Sequence, residues 1–239
     1  MALARSPRSN SRGAARRTPA TVSHRRRGIP LHVRAAYGES KPDGTWVEKP
    51  QNAFGNLINL AKGQREIVQA GTPVLRQMAE EVPLDRIDSA TIQELIQEMI
   101  SIMRNRGVGL AAPQIGVLGR IIVMDCEKDD GADPNPIIMF NPEIIAHSDA
   151  TNVYEEGCLS IPEHYAEVTR PKEVEVAWID RNGAIHKRGF DGLWATCVQH
   201  EIDHLNGKLF IDYIGVMKRQ LITRKMQKFK REVARKKDV

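Results

Sequence analysis

The chain has 239 residues, 41% of them apolar, which is enough to bury one sizeable core and favours a single folded domain with tails. No apolar run approaches the roughly 18 residues that a membrane helix needs, so we expect a soluble protein. The net charge of +5 hides an asymmetry, because residues 1–38 carry +9 and residues 216–239 carry +8, which leaves −12 for the middle of the chain.

The three cysteines indicate a reducing compartment. Cys126, Cys158 and Cys197 are an odd number and show no CxxC spacing, which disfavours a disulfide framework of the secreted kind. The N-terminal segment also lacks the apolar stretch of a secretory signal peptide.

The first 38 residues are rich in Arg, Ser and Ala and contain no acidic residue. This composition is typical of an organellar transit peptide and cannot supply a core. A disordered basic arm and a translation start assigned too early are the alternative interpretations. Residues 39–63 are predicted to form a further linker. We therefore expect the folded domain at 64–215 and a separate basic segment at 216–239.

A helix is predicted after Thr91, because apolar side chains recur at helical spacing from Ile92 to Met103. A capping box from Thr91 to Glu94 marks its start, and Gly107 marks its end. Its expected role is packing.

Strands are predicted in the middle of the chain. RIIVMD at 120–125 and IIMFNP at 137–142 have strand length and are separated by a polar loop. EVEVAWID at 173–180 alternates as a half-buried strand does, RNG at 181–183 supplies a turn, and AIHKRGF at 184–190 returns as the second strand of a hairpin.

A second helix is predicted for GLWATCVQHEIDHLNG at 192–207, with Asp191 as its N-cap and Gly207 as its stop. KLFIDYI at 208–214 is predicted to form a last strand before a basic helix at 216–239. Strands before and after helices, without a βαβ alternation, indicate an α+β fold.

The strongest chemical signal is QHEIDHLNG at 199–207. Residues four apart on a helix project from one face, so His200 and His204 can bind one metal ion. Glu201 can reach a ligand in the open coordination position of that ion. Zinc or ferrous iron in a catalytic site generally takes three protein ligands and one water. Two surface histidines on a charged helix are the ordinary alternative.

Protease patterns do not supply the third ligand. Phe210 stands where a metzincin has its third histidine. Glu232, the one glutamate after His204 that could complete a thermolysin-like site, lies in the basic tail. Both protease classes are therefore disfavoured.

The cysteines are the remaining candidates for the third ligand. Cys197 precedes His204 by seven residues, which span about 10.5 Å of helix axis and are too far apart for one ion. Cys158 is favoured over Cys126 because it follows a glycine, which lets the backbone approach an ion, and because a thiolate suits zinc or iron. Both cysteines stay open at this point.

Three stretches together resemble the peptide deformylase family. They are GVGLAAPQIG at 107–116, EEGCLSIP at 155–162 and QHEIDHLNG at 199–207. The family patterns GφGLAAxQ, EGCLS and QHExDH occur in the same order at comparable separations, and the similarity extends from about Glu66 to about Lys230. The resemblance implies a peptide-deformylase-like α+β fold, mainly antiparallel strands around a central metal-binding helix, with a C-terminal helix.

The resemblance also implies roles for the site residues. The implied metal ligands are Cys158, His200 and His204. Glu201 becomes the catalytic acid/base, Gln114 and the backbone N–H of Leu159 hold the formyl oxygen, and Gly109 presents its main chain to the substrate. The implied ion is Fe²⁺, with Zn²⁺ as a substitute of lower activity.

The implied reaction removes formate from the N-terminal formylmethionine of newly synthesised polypeptides. We expect an apolar pocket for the methionine side chain, lined in part by Val108, Leu193, Cys197 and His200. An HExxH-type metallopeptidase and an RNA-binding module with structural zinc are the competing functions, although no fourth ligand for structural zinc is evident.

Two expectations concern partners and location. The basic helix at 216–239 is interpreted either as an amphipathic helix packed on the body or as a contact for ribosomal RNA. The Arg-rich leader favours a mitochondrion or chloroplast, while the bacterial-type motifs would also suit a bacterial cytoplasm. No membrane partner is expected.

Overall fold

The computed structural model of the chain describes residues 2–3, 65–127 and 135–237. The strands in these ranges are β1 (Ala2–Leu3), β2 (Gly109–Ala111), β3 (Ile121–Met124), β4 (Ile137–His147), β5 (Thr151–Cys158), β6 (Ile161–Pro171), β7 (Val174–Ile179) and β8 (Ile185–Phe190). The α-helices are α1 (Ala90–Arg104), α2 (Gly192–Leu205) and α3 (Val216–Lys237). Short 3₁₀ turns occupy Pro73–Arg76, Leu84–Arg86, Ala112–Ile115 and Phe210–Asp212.

The strands form two antiparallel sheets. One has the order β1-β5-β6 and the other the order β2-β3-β4-β7-β8. The sequence-based prediction of an α+β fold with mainly antiparallel strands is confirmed. None of the described helices combines the length and the apolar character needed to cross a membrane.

The five-stranded sheet lies between α1 and α2. Its strand β3 is buried along its whole length. Ile121 and Val123 pack in the cluster that contains the apolar face of α1, whereas Ile122 and Met124 pack in the cluster that contains α2. Successive side chains of a strand point to opposite faces, so each helix covers one face of the sheet. This packing holds α2, which carries the HExxH motif, against the sheet.

Helix α1 confirms the predicted helix but not its predicted start. Ser89 is the N-cap, and its carbonyl accepts the N–H of Gln93 at 3.0 Å, so Thr91 already lies inside the helix. The capping box from Thr91 to Glu94 is therefore wrong. The buried apolar side chains of this helix are Ile92, Leu95, Ile96, Met99, Ile100 and Met103.

The predicted strands at 120–125, 137–142, 173–180 and 184–190 correspond to β3, β4, β7 and β8. Strand β4 continues to His147, beyond its predicted end. The predicted loop between β3 and β4 lies largely outside the described residues. The hairpin of β5 and β6 was not predicted from the sequence.

The predicted strand at 208–214 is wrong, because the chain forms a 3₁₀ turn there. The side chain of Asp212 accepts a hydrogen bond from the backbone N–H of Leu209 at 2.8 Å and forms an ion pair with Arg76. These local bonds stabilise a turn, and the segment does not pair with a neighbouring strand. Gly207 permits the entry into this turn, since its φ is +69° and a Cβ there would lie 2.7 Å from the carbonyl oxygen of Arg76.

Helix α3 packs on the three-stranded sheet through its middle. Ile222 and Met226 are buried in one cluster with Phe210 and Cys158. Two other members of the predicted apolar stripe, Val216 and Leu221, are exposed. The described side chains therefore give this helix a narrower docking face than the sequence indicated.

The predicted leader at 1–38 and linker at 39–63 lie outside the described residues, apart from β1. In this short strand Ala2 pairs with Gly157 and Leu3 pairs with Glu156. The edge of β5 next to Cys158 thus accepts an extended segment of chain.

Candidate metal centre

Three of the predicted site residues meet between β5 and α2. Cys158 is the last residue of β5, while His200 and His204 lie one turn apart on α2. Their candidate ligand atoms all lie within 4.8 Å of one another, and all three residues are buried. Cys126, the alternative third ligand, does not belong to this group and lies beyond the end of β3.

The donor set fits one transition-metal ion. The Sγ atom of Cys158 lies 3.2 Å from Nε2 of His204. Nε2 of His200 is buried and has no hydrogen-bond partner in the described part of the chain. One thiolate and two imidazoles at such separations suit tetrahedral zinc or iron, whose bonds to sulfur and nitrogen are about 2.0–2.3 Å long. Three protein ligands leave one position open for water.

A buried carboxylate orients the first histidine. Nδ1 of His200 donates to Oε2 of Glu156 at 2.8 Å, which leaves the Nε2 lone pair for the metal. Arg170 holds Glu156 through bonds of 2.5 Å and 3.0 Å, and also donates to Asp203 at 2.8 Å. Because Asp203 lies on α2, this network ties the helix to the strands β5 and β6.

Tyr213 extends the network toward the C-terminal helix. Its hydroxyl donates to Oδ1 of Asp203 at 2.9 Å, and the guanidinium of Arg170 lies over its ring at 4.9 Å. Burial and the neighbouring carboxylate of Asp203 raise the pKa of Tyr213 to about 12. The hydroxyl therefore stays a donor across the physiological pH range.

The network sets the charges around the site. Burial would raise the pKa of Glu156, but hydrogen bonds from His200 and Arg170 lower it to about 2. Burial alone would lower the pKa of His200, but interactions with Cys158 and Glu156 raise this pKa to about 9. Burial and the charge of His200 lower the pKa of His204. A metal ion bound at this site would therefore displace a proton from His200.

Glu156→Gln is expected to weaken metal binding about 10- to 100-fold, because the neutral amide no longer stabilises His200 as a donor to the metal. Competition with a chromogenic chelator measures this affinity. Glu155→Gln is the matched control, since Glu155 is an exposed neighbour on the same strand. Equal affinities for the two variants would contradict the orienting role.

Gln114 points its amide nitrogen at the predicted metal ligand. Its Oε1 accepts the backbone N–H of Ala111 at 2.9 Å, which fixes the orientation of the amide. Nε2 then lies 3.5 Å from Sγ of Cys158 and 3.4 Å from Oγ of Ser160. Leu159 follows Cys158 directly, in the short connection between β5 and β6. Both predicted donors to the formyl oxygen therefore adjoin the metal centre.

Glu201 is fully buried and packs against the backbone of β2. A Cβ on Gly109 would lie 2.6 Å from Oε1 of Glu201 and 2.6 Å from Sγ of Cys197. A side chain at position 109 would therefore have to displace Cys197 or Glu201, which favours a glycine here. The GVGLAAPQ stretch is therefore a tightly packed strand and turn.

Gly109→Ala is expected to lower turnover about 100-fold, because the added methyl must displace Glu201 or Cys197 by a large fraction of an ångström. Steady-state formate release measures the effect. Gly189→Ala is the control, since a Cβ at that position of β8 meets nothing within 4 Å. A Gly109→Ala variant as active as this control would contradict the close packing.

The residues predicted for the methionine pocket lie together on the α2 side of the five-stranded sheet. Val108, Leu193 and Cys197 all belong to the apolar cluster of α2. A separate cavity of about 340 Å³ adjoins Cys158, and its wall includes Arg106 and Pro162. The proximity of the three residues fits the prediction, and their contact with substrate stays a prediction.

Sequence reasoning missed the residues that support the ligands. The polar pair Glu155 and Glu156 beside Cys158 indicated a site in the sequence, but not that Glu156 supports a ligand. Asp203 could have been found as a fixed position of the QHExDH pattern, whereas Arg170 gave no signal, since a charged residue in a strand is normally exposed. Only the folded structure brings these groups to Glu156 and Tyr213.

Comparisons with known proteins agree with the geometry. Residues 64–220 match the sequence model of the polypeptide deformylase family. A peptide deformylase from Mesorhizobium japonicum is 47% identical over 163 residues, which cover 68% of this chain and 90% of that protein. A peptide deformylase structure from Legionella pneumophila matches with a TM-score of 0.64 and 42% identity, covering 72% of this chain and 99% of the other. A peptide deformylase from Arabidopsis thaliana, in complex with an inhibitor, matches with a TM-score of 0.64 and 31% identity over 73% and 94% of the two chains.

Proposed function

This chain belongs to the polypeptide deformylase family, and on that premise we propose that Cys158, His200 and His204 hold one divalent metal ion beside the acid/base Glu201. The enzyme is a hydrolase that removes the formyl group from the N-terminal formylmethionine of newly synthesised polypeptides and releases formate. The convergence of three buried ligand atoms within 4.8 Å is the observation that carries the site assignment.

The chemistry follows from the positions of the surrounding groups. The bound metal supplies a Lewis acid that lowers the pKa of a water toward about 7. Glu201 is placed to accept a proton from a water molecule in the site, so that the water oxygen could attack the formyl carbon. Gln114 and the backbone N–H of Leu159 donate to the oxygen that becomes negative. Glu201 then gives its proton to the amine nitrogen as the C–N bond breaks.

The edge of β5 supports a particular approach for the peptide. Ala2 and Leu3 already pair with this edge in antiparallel register, opposite Gly157 and Glu156. In a substrate that pairs in the same way, one residue lies opposite Gly157. The residue before it then lies next to Cys158. The first residue of the substrate then reaches the metal centre, and the following residues run along β5.

The direct test is formate release from a formyl-Met-Ala-Ser peptide by the metal-loaded full chain. We expect turnover of this peptide and none of its unformylated or N-acetylated counterparts. The metallopeptidase alternative, which would cleave internal peptide bonds, is not favoured by the family match. Phe210, at the third-histidine position of that alternative, instead stacks on His200 at 6.2 Å between ring centroids. Cleavage of an internal peptide bond would overturn the proposal.

For the identity of the metal, we propose Fe²⁺ in the cell, with Zn²⁺ as a less active substitute. One thiolate and two imidazoles accept either ion, so the donor set alone supports both. Metal analysis of protein purified without oxygen, combined with activity after reloading with each ion, tests the choice. Equal turnover with zinc and iron would remove the reason to prefer iron.

For the basic helix α3, we propose a contact with ribosomal RNA near the point where new chains emerge. Its exposed cations include Lys218, Arg224 and Lys225. Charge reversal at these three positions is expected to abolish salt-sensitive co-sedimentation with ribosomes, because such binding depends on phosphate contacts. The control reverses three cations of the β7–β8 region, which are Arg181, Lys187 and Arg188. Equal binding by both variants would contradict the contact.

For location, we propose that residues 1–38 direct the protein to a mitochondrion or chloroplast. The acid-free, Arg-rich composition supports this, and relatives occur in plants as well as in bacteria. A bacterial cytoplasm is the alternative. Sequencing the N-terminus of the mature protein tests the proposal, and an N-terminus that retains residues 1–38 would contradict cleavage of a transit peptide.

A further inference from the structure

Two cysteines outside the metal centre meet beside it. Cys197 lies on α2 one turn before His200, and Cys126 follows β3. The two side chains pack in one apolar cluster on the α2 side of the five-stranded sheet. The backbone around Cys126 also adjoins the glycine motif, since the N–H of Asp125 donates to the carbonyl of Val108 at 2.8 Å.

The two thiols differ in their access to solvent. Cys197 is completely buried, whereas Cys126 is half-buried. Sγ of Cys197 also lies 3.7 Å from the carbonyl oxygen of Val108, which accepts the N–H of Asp125, the residue before Cys126. A reagent in solution therefore meets Cys126 first, and Cys197 is placed to react second.

We propose that Cys126 and Cys197 are a thiol-modification site that forms a reversible disulfide and thereby lowers deformylation. The oxidant is a small-molecule disulfide of the glutathione type. The effect on rate rests on the proposed function, while formation of the bond does not depend on it.

The exchange proceeds in two balanced steps. The Cys126 thiolate attacks one sulfur of the small disulfide, whose S–S bond breaks and releases one small thiol. The Cys197 thiol then gives up its proton and attacks Sγ of Cys126, which releases the second small thiol. Both protein thiols are oxidised, and one small disulfide is reduced to two thiols.

The bond would disturb the active site because of what Cys197 touches. A disulfide brings its sulfur atoms to about 2.05 Å, much closer than the contact distance of two thiols that are not bonded to each other. Sγ of Cys197 packs against the backbone of Gly109, which in turn packs against Glu201. Movement of this sulfur toward Cys126 therefore shifts the close packing around the acid/base. Misplacement of a catalytic group by about 1 Å can cost 100-fold in rate.

The test uses the zinc-loaded full chain, first reduced and then treated with glutathione disulfide. Mass spectrometry of a non-reduced digest is expected to show the Cys126 peptide joined to the Cys197 peptide. Formate release is expected to fall at least about tenfold and to return after dithiothreitol. The Cys126→Ser variant is expected to form no such link and to keep its activity in the oxidant.

Several outcomes would overturn the proposal. A digest without the Cys126–Cys197 link would exclude the bond, and a linked enzyme with full activity would exclude its effect. Equal loss of activity in the wild type and in Cys126→Ser would assign the oxidation to Cys158. If the reduced wild type releases no formate, the proposed function fails, whereas the presence of the link is still decided by the digest.

Discussion

Glu201→Ala is expected to retain its metal and to release formate at less than about 1% of the wild-type rate. The carboxylate is fully buried on α2, directly after the candidate ligand His200 and beside the backbone of Gly109. General acid/base groups typically contribute about 10²- to 10⁴-fold, and Glu201 would serve both proton transfers. Metal content per chain and formate release, measured on the same preparation, test the prediction.

The control for this variant is Glu94→Ala, which removes an exposed carboxylate from α1 and should change neither quantity. Turnover above about 1% in Glu201→Ala with the metal retained would remove the acid/base assignment. Loss of the metal from this variant would instead show that Glu201 supports the ligands.

Cys158→Ala is expected to lose nearly all of its bound metal, from about one ion per chain to almost none. The two histidines alone leave a site with two open positions, and the thiolate is the single anionic ligand. The measurement is metal content after gel filtration in the presence of a weak chelator. Removing this ligand also removes the sulfur beside Gln114, so formate release should disappear as well.

Cys126→Ala is the matched control for the ligand assignment, because Cys126 was the alternative third ligand on sequence grounds. It is expected to keep the full metal content. Metal retained in Cys158→Ala and lost in Cys126→Ala would reverse the assignment.

The fold was predictable where periodicity is strong. The sequence of β7 alternates and is followed by a turn at Gly183, so the hairpin with β8 could be predicted directly from the residues. The hairpin of β5 and β6 was missed because β5 buries only its last three residues, which include Cys158. The other residues of β5 are exposed or half-buried and show no regular alternation of apolar and polar side chains.

The metal centre was predictable only in part from spacing. The pair His200 and His204 follows from helix geometry, but the third ligand comes from another element, and spacing alone could not choose between Cys158 and Cys126. The preceding glycine favoured Cys158, and the family resemblance made the choice between the two cysteines. The support from Arg170 could not be predicted, since it depends on the pairing of β5 with β6.

The origin of the three ligands has a thermodynamic consequence. Cys158 ends a strand of the three-stranded sheet, whereas His200 and His204 belong to a helix packed on the five-stranded sheet. An ion shared by them binds the folded chain and not the unfolded one, so its concentration enters the folding equilibrium. Free metal at 1,000 times its dissociation constant adds about 4.1 kcal/mol to the free energy of unfolding. We therefore expect the melting temperature, and with it the resistance of the enzyme to proteases, to rise with the concentration of free metal.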